Sequence, residues 1–298
     1  ASRGVPDWVG AALREAGAVV TGPERAEALL WLSAEDSDEL KELLARHTAI
    51  RWVQLPWAGI EPLAEAGVLD PTRVWTCAKG AYAEPVAEHA VALALAGLRR
   101  LPERVRATSW GEPAGRSLYD RPVTILGGGG ITRELLRLLA PYRVRATVLR
   151  RSADPLPGAE RTLPVSALHD VLPGAAVVFV ALALTPETTG IIGSEELGRM
   201  DDEAWLVNVA RGRHVVTDAL VTALRDGAIA GAALDVTDPE PLPDGHPLWE
   251  LPNCIVTPHT ADTWEMVRPL LARRIAANVA HRIAGEPLEG LVDPAAGY

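Results

Sequence analysis

Cysteine is nearly absent: the 298-residue chain has two, Cys77 and Cys254. Both sit in strand-like surroundings without metal-ligand spacing. That argues against a disulfide framework or a resident metal and points to buried thiols in a reducing cytoplasm. Long apolar runs are missing too. The longest, Ala175 to Leu184, is too short to cross a bilayer, and no basic-apolar-small segment opens the chain, so nothing signals membrane or export. There is no internal repeat and no low-complexity tract. Lysine is scarce: of 29 basic residues only Lys41 and Lys79 are lysines, which singles out Lys79. The basic residues are scattered and the net charge is −10, which argues against a nucleic-acid partner.

What is present is a globular composition. Apolar residues make up 48% and charged residues 23%, enough for a large core in one big domain or two ordinary ones. Strand-like and helix-like segments alternate, the pattern of a parallel sheet covered by helices. An amphipathic helix over Asp7–Ala16 ends at Gly17. Strands follow at Ala28–Ser33, Ile50–Leu55 and Arg73–Cys77, with a helix at Asp38–Arg46 and a loop "PWAGIE". Because an α/β sheet normally starts with a strand, one is expected before Ala1 in the natural gene product. A helix over Pro85–Leu101, apolar all round, is expected to be buried between two layers or two subunits. Ser109–Arg121 reads as a connection. A second series then begins, with strands at Val123–Leu126, Arg145–Leu149, Ala176–Leu182, Ala204–Val209, Gly231–Val236 and Cys254–Thr257. Five are continuous apolar runs, as strands buried on both faces should be. A closing helix, Thr263–Ala284, is long enough to carry the chain back into a first domain.

The stretch "VTILGGGGIT" ends a strand and opens a helix, the context of a dinucleotide-binding fingerprint. Gly127 can make the tight turn, and Gly129 lets backbone approach a pyrophosphate seated on the helix N-terminus. Thr132 stands where the third glycine, a packing residue, is usual. At the end of the next strand an aspartate would accept hydrogen bonds from an adenosine ribose. This chain has Arg150, Arg151 and Ser152, with no acid until Asp154. Arginine there favours a 2′-phosphate, so NADP(H) is expected over NAD(H).

Three later strands each end in a polar residue: Arg211 in "NVARG", Asp235 and Glu240 in "LDVTDPEPL", and His259 in "TPHTA". Ligands bind at the carboxyl ends of such strands. A histidine near neutral pH can give a proton to a new alkoxide, a glutamate on its other nitrogen favours the protonated form, and an arginine can hold a carboxylate and polarise a carbonyl. His89, His169 and His214 read as structural or surface groups.

Here "NVARG", "ALDVTDPEPLPDGHPLWELPNCIVTPHTA" and "LALTPETTGII" resemble the D-isomer-specific 2-hydroxyacid dehydrogenase family, from about Gln54 to Asn278. The resemblance implies an α/β fold of two domains. A flavodoxin-like substrate domain would take residues 1–88 and 266–298, with a Rossmann-type domain, 89–265, inserted. It implies that Arg211 binds a small 2-oxo acid, that His259 is the general acid/base and that Glu240 pairs with it. Cofactor contacts would come from Gly127, Gly129, Gly130, Ile131, Thr132, Arg150, Arg151, Ser152, Leu182, Ala183, Thr188, Val209, Ala210, Asp235 and Ala261. Of these, Asp235 would take the nicotinamide carboxamide. Trp57, the N–H groups of Ala58 and Gly59, and Lys79 with Gly80 would meet the substrate. A homodimer is implied too.

Departures from the family pattern are Thr132 for glycine, Ala183 where many members have proline, and Arg150–Arg151 for the acid, as in the glyoxylate/hydroxypyruvate reductase branch. Formate dehydrogenases resemble the chain less, because Glu240 keeps a His–Glu pair that they lack. Two other readings stay open: an NAD-dependent enzyme acting on a bulkier or phosphorylated acid, like phosphoglycerate dehydrogenase, and a nucleotide-sensing scaffold like the corepressors of this fold.

Overall fold

The computed structural model describes residues 6–33 and 36–294. In chain order its elements are α1 (Asp7–Glu15), β1 (Ala28–Leu30), α2 (Ser37–Arg46), β2 (Trp52–Gln54), α3 (Glu61–Glu65), β3 (Val74–Thr76), α4 (Ala83–Leu98), α5 (Leu101–Arg106), β4 (Pro122–Leu126), α6 (Gly130–Leu139), β5 (Arg145–Arg150), β6 (Arg161–Pro164), α7 (Leu168–Val171), β7 (Val177–Val180), α8 (Ser194–Arg199), β8 (Trp205–Asn208), α9 (Thr217–Asp226), β9 (Gly231–Leu234), α10 (Pro247–Glu250), β10 (Cys254–Val256) and α11 (Trp264–Ala284), with short 3-10 turns between. No helix among the described residues is long and apolar enough to cross a membrane.

The chain divides into two compact units, one of residues 1–82 with 263–298, the other of residues 83–262. The expected limits, 88/89 and 265/266, fall inside α4 and α11. The division falls ahead of each helix: α4 lies on α6, β8 and β9, while Trp264, opening α11, meets Trp8 edge-to-face and Trp57 at a tilt.

In the first unit β1, β2 and β3 form a parallel sheet in that order. One face packs on Leu40, Leu44, Ile60 and Leu63 of α2 and the α3 region. The other packs on Val9 and Leu13 of α1 and on Val267, Leu271 and Ile275 of α11. Burial on both faces explains why β2 is apolar or hydrogen-bonded throughout. Its one amide, Gln54, accepts from Thr76 Oγ1 and from Asn278 Nδ2, each at 2.8 Å, so this buried polar group is satisfied.

In the second unit seven parallel strands run in the order β10-β9-β8-β7-β4-β5-β6. From β4 the chain winds outward one way through β5 and β6, then restarts at β7 and winds the other way. The strand order therefore reverses between β4 and β7, and the crevice at their carboxyl ends is where such sheets bind ligands. Edge strand β6 was not visible as a strand in the sequence: "RTLP" carries a charge and a proline. An edge position pairs on one side only and tolerates both.

Helix α4 is buried within the chain on one face, with Glu84, Glu88 and Ala92 exposed. It ends earlier than expected, at Leu98: Arg100 is left-handed (φ 52°), and Pro102 cannot continue the helical hydrogen bonding, so α5 starts afresh.

Candidate active site

The glycine loop after β4 is built by close approach. Gly127 has φ 113°, and a Cβ there would lie 2.3 Å from the Ala181 carbonyl oxygen, so only glycine lets this loop pass the exit of β7. A Cβ on Gly128 would lie 2.9 Å from Cδ of Arg150, because the Arg150 side chain runs alongside it. A Cβ on Gly129 would meet nothing within 4 Å. Open space therefore lies in front of the first turn of α6, whose Gly130 and Ile131 N–H groups have no intrahelical acceptor. A pyrophosphate fits such a cradle, with Arg150 at its side. Arg151 is exposed and Ser152 half-buried; the Ser152 hydroxyl donates to Asp154 Oδ2 at 2.9 Å.

Thr132 does more than fill the third glycine's place. It is fully buried, and its hydroxyl donates to the Gly127 carbonyl at 2.8 Å, tying the helix back to the loop. In the loop after β7, Thr188 Oγ1 donates to the Ala183 carbonyl at 2.8 Å; Leu182 and Thr188 are half-buried and Ala183 is exposed. Val209, Ala210 and Ala261 are buried and shape the strand exits from within.

Arg211, Glu240 and His259 follow β8, β9 and β10, the neighbouring strands at one end of the sheet. His259 Nδ1 lies 2.6 Å from Glu240 Oε1. Donating its Nδ1–H to the Glu240 carboxylate lifts the His259 pKa above its ordinary 6.5, while burial and the Arg211 charge oppose the shift. The same bond holds Glu240 below 4.5. His259 has φ 49°, a costly conformation for a non-glycine residue. It is kept by its N–H bond to the Asp235 carbonyl at 2.8 Å. The arrangement presents an imidazole whose Nε2 can carry a proton, backed by a carboxylate, with a guanidinium whose field it feels.

Asp235 sits beneath this loop, 2% exposed. Its Oδ1 accepts from Thr257 Oγ1 at 2.6 Å and Thr260 N at 2.9 Å; its Oδ2 accepts from Ala261 N at 3.0 Å. His89, on α4, reaches Thr257 Oγ1 at 3.0 Å and Asp235 Oδ1 at 3.4 Å. Burial works against the Asp235 charge, but these donors outweigh it and bring the carboxyl to about 2. Asp235 is thus the anchor of the segment that carries His259. Asp262, next along, is pushed up by burial.

Two further residues shape the site here: Gly212, which sequence reasoning passed over, and His214, expected only to be structural or on the surface. A Cβ on Gly212 would lie 1.9 Å from the Thr237 carbonyl oxygen, so the arginine-bearing loop and the loop leading to Glu240 touch only because glycine follows Arg211. His214 is fully buried, with Nδ1 3.2 Å from the Arg211 N and Nε2 3.3 Å from the Ala183 carbonyl. The glycine signal was in the text, in "ARG"; the histidine had none.

The residues expected to meet the substrate lie in the other unit, on the loops after β2 and β3. The two loops are joined by the Ala78 N–H to Trp57 carbonyl bond at 3.1 Å. Trp57 is half-buried in an aromatic cluster with Trp264 and Tyr82, at 5.7 and 6.3 Å between ring centres. Among the described residues the N–H groups of Ala58 and Gly59 make no hydrogen bond. Lys79 and Gly80 are exposed. Arg274 of α11 donates to the Cys77 and Lys79 carbonyls at 3.0 and 3.1 Å and fixes that loop.

Comparison with known proteins follows the same lines. Residues 90–261 match the model of the D-isomer specific 2-hydroxyacid dehydrogenase NAD binding domain. A human glyoxylate reductase/hydroxypyruvate reductase is 35% identical over 215 residues, 69% of this chain and 65% of that protein. A D-isomer specific 2-hydroxyacid dehydrogenase from Xanthobacter autotrophicus Py2, solved with NADPH and MES, superposes with a TM-score of 0.84 at 30% identity, covering 100% of this chain and 98% of that one. An NADPH-dependent glyoxylate/hydroxypyruvate reductase from Sinorhizobium meliloti, solved with NADP and sulfate, gives 0.80 at 26% identity, covering 99% and 98%.

Proposed function

The chain belongs to the D-isomer specific 2-hydroxyacid dehydrogenase family and is an NAD(P)-dependent oxidoreductase, and we propose that it reduces a small 2-oxo acid such as glyoxylate or hydroxypyruvate with NADPH. The observation that carries the proposal is the His259–Glu240 pair at 2.6 Å, at the carboxyl ends of the sheet whose strands also lead into Arg211 and the glycine loop. When bound, the nicotinamide supplies the hydride. Arg211 holds the substrate carboxylate and polarises its ketone. His259, kept protonated by Glu240, gives its Nε2 proton to the oxygen as the carbonyl becomes an alcohol; for oxidation it takes that proton back.

For the cofactor, Gly129 and the start of α6 hold the pyrophosphate. Arg150 and Arg151, with Ser152, would hold the 2′-phosphate; the alignment of Arg150 along Gly128 supports this preference. Ala183 and Thr188 would hold the nicotinamide end. Asp235, whose oxygens are engaged by its own chain, anchors the His259 segment and offers the carboxamide no more than its remaining lone pair.

The test is kcat/KM for glyoxylate and hydroxypyruvate with NADPH and with NADH, on wild type and Arg211→Ala. NADPH should be the better donor, and R211A should lose most turnover while still binding cofactor. Equal or better use of NADH would refute the cofactor assignment. Inactivity on every small 2-oxo acid with cofactor bound would refute the substrate class. The homodimer is part of the same proposal. The α5 segment and its continuation leave Leu101, Val105 and Trp110 exposed, Trp110 at 97%, a cost that a second copy would remove. Sedimentation velocity of wild type against Trp110→Ser reads it out.

A further inference from the structure

We infer that His214 is a positioning residue, which locks the main chain of Arg211 to the Ala183 loop through one neutral imidazole. The inference rests on the roles proposed above for Arg211 and Ala183. It starts from a donor count. The Arg211 carbonyl accepts from Asn208 Nδ2 at 2.8 Å and from the His214 N–H at 3.2 Å, and it also lies 3.0 Å from His214 Nδ1; with both its lone pairs already used, it leaves Nδ1 to the Arg211 N–H. The Arg211 N–H points at His214 Nδ1, 3.2 Å away. Nδ1 therefore accepts, and the ring proton sits on Nε2, where it donates to the Ala183 carbonyl at 3.3 Å. The ring has no exposure to solvent, so neither bond competes with water.

The consequence is a fixed spacing. Arg211 is extended, with φ −142°, and both its main-chain polar groups are held, which sets the direction in which its side chain leaves. The Ala183 carbonyl also takes the Thr188 hydroxyl, so the same ring steadies the loop after β7. The loops after β7 and β8 are neighbours on one side of the switch point, and His214 sets their separation. It touches neither substrate nor cofactor and acts through Arg211 and Ala183.

Two variants separate the bonds. His214→Asn keeps an amide oxygen near the Nδ1 position but cannot reach Ala183. His214→Leu removes both bonds. For H214N, NADPH affinity measured by fluorescence titration should weaken about tenfold, the 1.4 kcal/mol expected of one buried hydrogen bond, with the 2-oxo acid KM nearly unchanged. For H214L, kcat/KM should fall further and the 2-oxo acid KM should rise. Histidine 15N spectra of the cofactor-free enzyme, assigned by difference with H214N, should show the Nε2–H tautomer. An Nδ1–H or doubly protonated ring would overturn the inference. So would H214L with wild-type Kd and KM, or H214N that shifts both parameters together. If H214L does not fold, the spectra and H214N still decide. If wild type reduces no 2-oxo acid, the proposed function fails on its own, while the tautomer and the NADPH affinity still test His214.

Discussion

Glu240→Gln isolates the charge behind the proposed acid. The substitution keeps size and a hydrogen-bonding carbonyl but removes the negative charge 2.6 Å from His259 Nδ1. A hydrogen bond to a charged partner contributes about 1.5–3 kcal/mol. Both side chains are substantially open, 44% and 40% exposed, and screening places this pair at the lower end. The expected loss is about 1.4 kcal/mol, or about tenfold in kcat/KM for reduction. Its pH dependence is the sharper signature. Glu240 holds His259 above its ordinary value, so imidazolium persists further into alkaline solution. In E240Q the reductive rate should therefore fall away at lower pH than in wild type. The oxidative rate, which needs neutral imidazole, should survive to lower pH. Stability follows the same linkage. The contribution of the pair is present above the ordinary Glu value and is lost as pH falls through the lowered Glu240 pKa. On the alkaline side it is lost as pH rises through the raised His259 pKa. The assay is a pH profile of kcat/KM in both directions. Superimposable limbs in E240Q and wild type would refute the role given to Glu240.

Arg150→Ser should lower kcat/KM with NADPH about tenfold and change it little with NADH, since one charge-assisted contact to phosphate is removed; equal losses with both cofactors would contradict the assignment. Thr132→Val keeps the shape of a fully buried side chain but leaves the Gly127 carbonyl without its donor, an expected cost of about 1–3 kcal/mol in urea unfolding, with weaker NADPH binding. Gly212→Ala should cost at least as much, because its Cβ would lie 1.9 Å from the Thr237 carbonyl oxygen. Urea midpoints unchanged from wild type would show that the two loops can part without penalty.

Legibility differed by the kind of signal each residue left. The near-continuous apolar strands of the second unit could be read because burial on both faces leaves little room for polar residues, and the glycine loop because its spacing is a backbone requirement. Arg211, Glu240 and His259 stood out by ending such strands with chemistry a strand end does not need. Strand β6 was hidden because an edge pairs on one side and keeps charge and proline. The end of α4 was hidden because "LRRLPERVR" continues the helical composition while Pro102 breaks its hydrogen bonding. Asp235 drew attention by its place at a strand end, but only the folded chain shows Thr257, Thr260 and Ala261 converging on it. His214 could be read only as a structural or surface group; its partners lay beyond sequence reasoning. It sits three residues from Arg211 but meets Ala183 across 31 positions, a contact that exists only because β7 and β8 are neighbours. Residues that would touch the ligands follow from what their chemistry demands, whereas residues that would hold them in place follow from topology. The second group is therefore the one that needs coordinates.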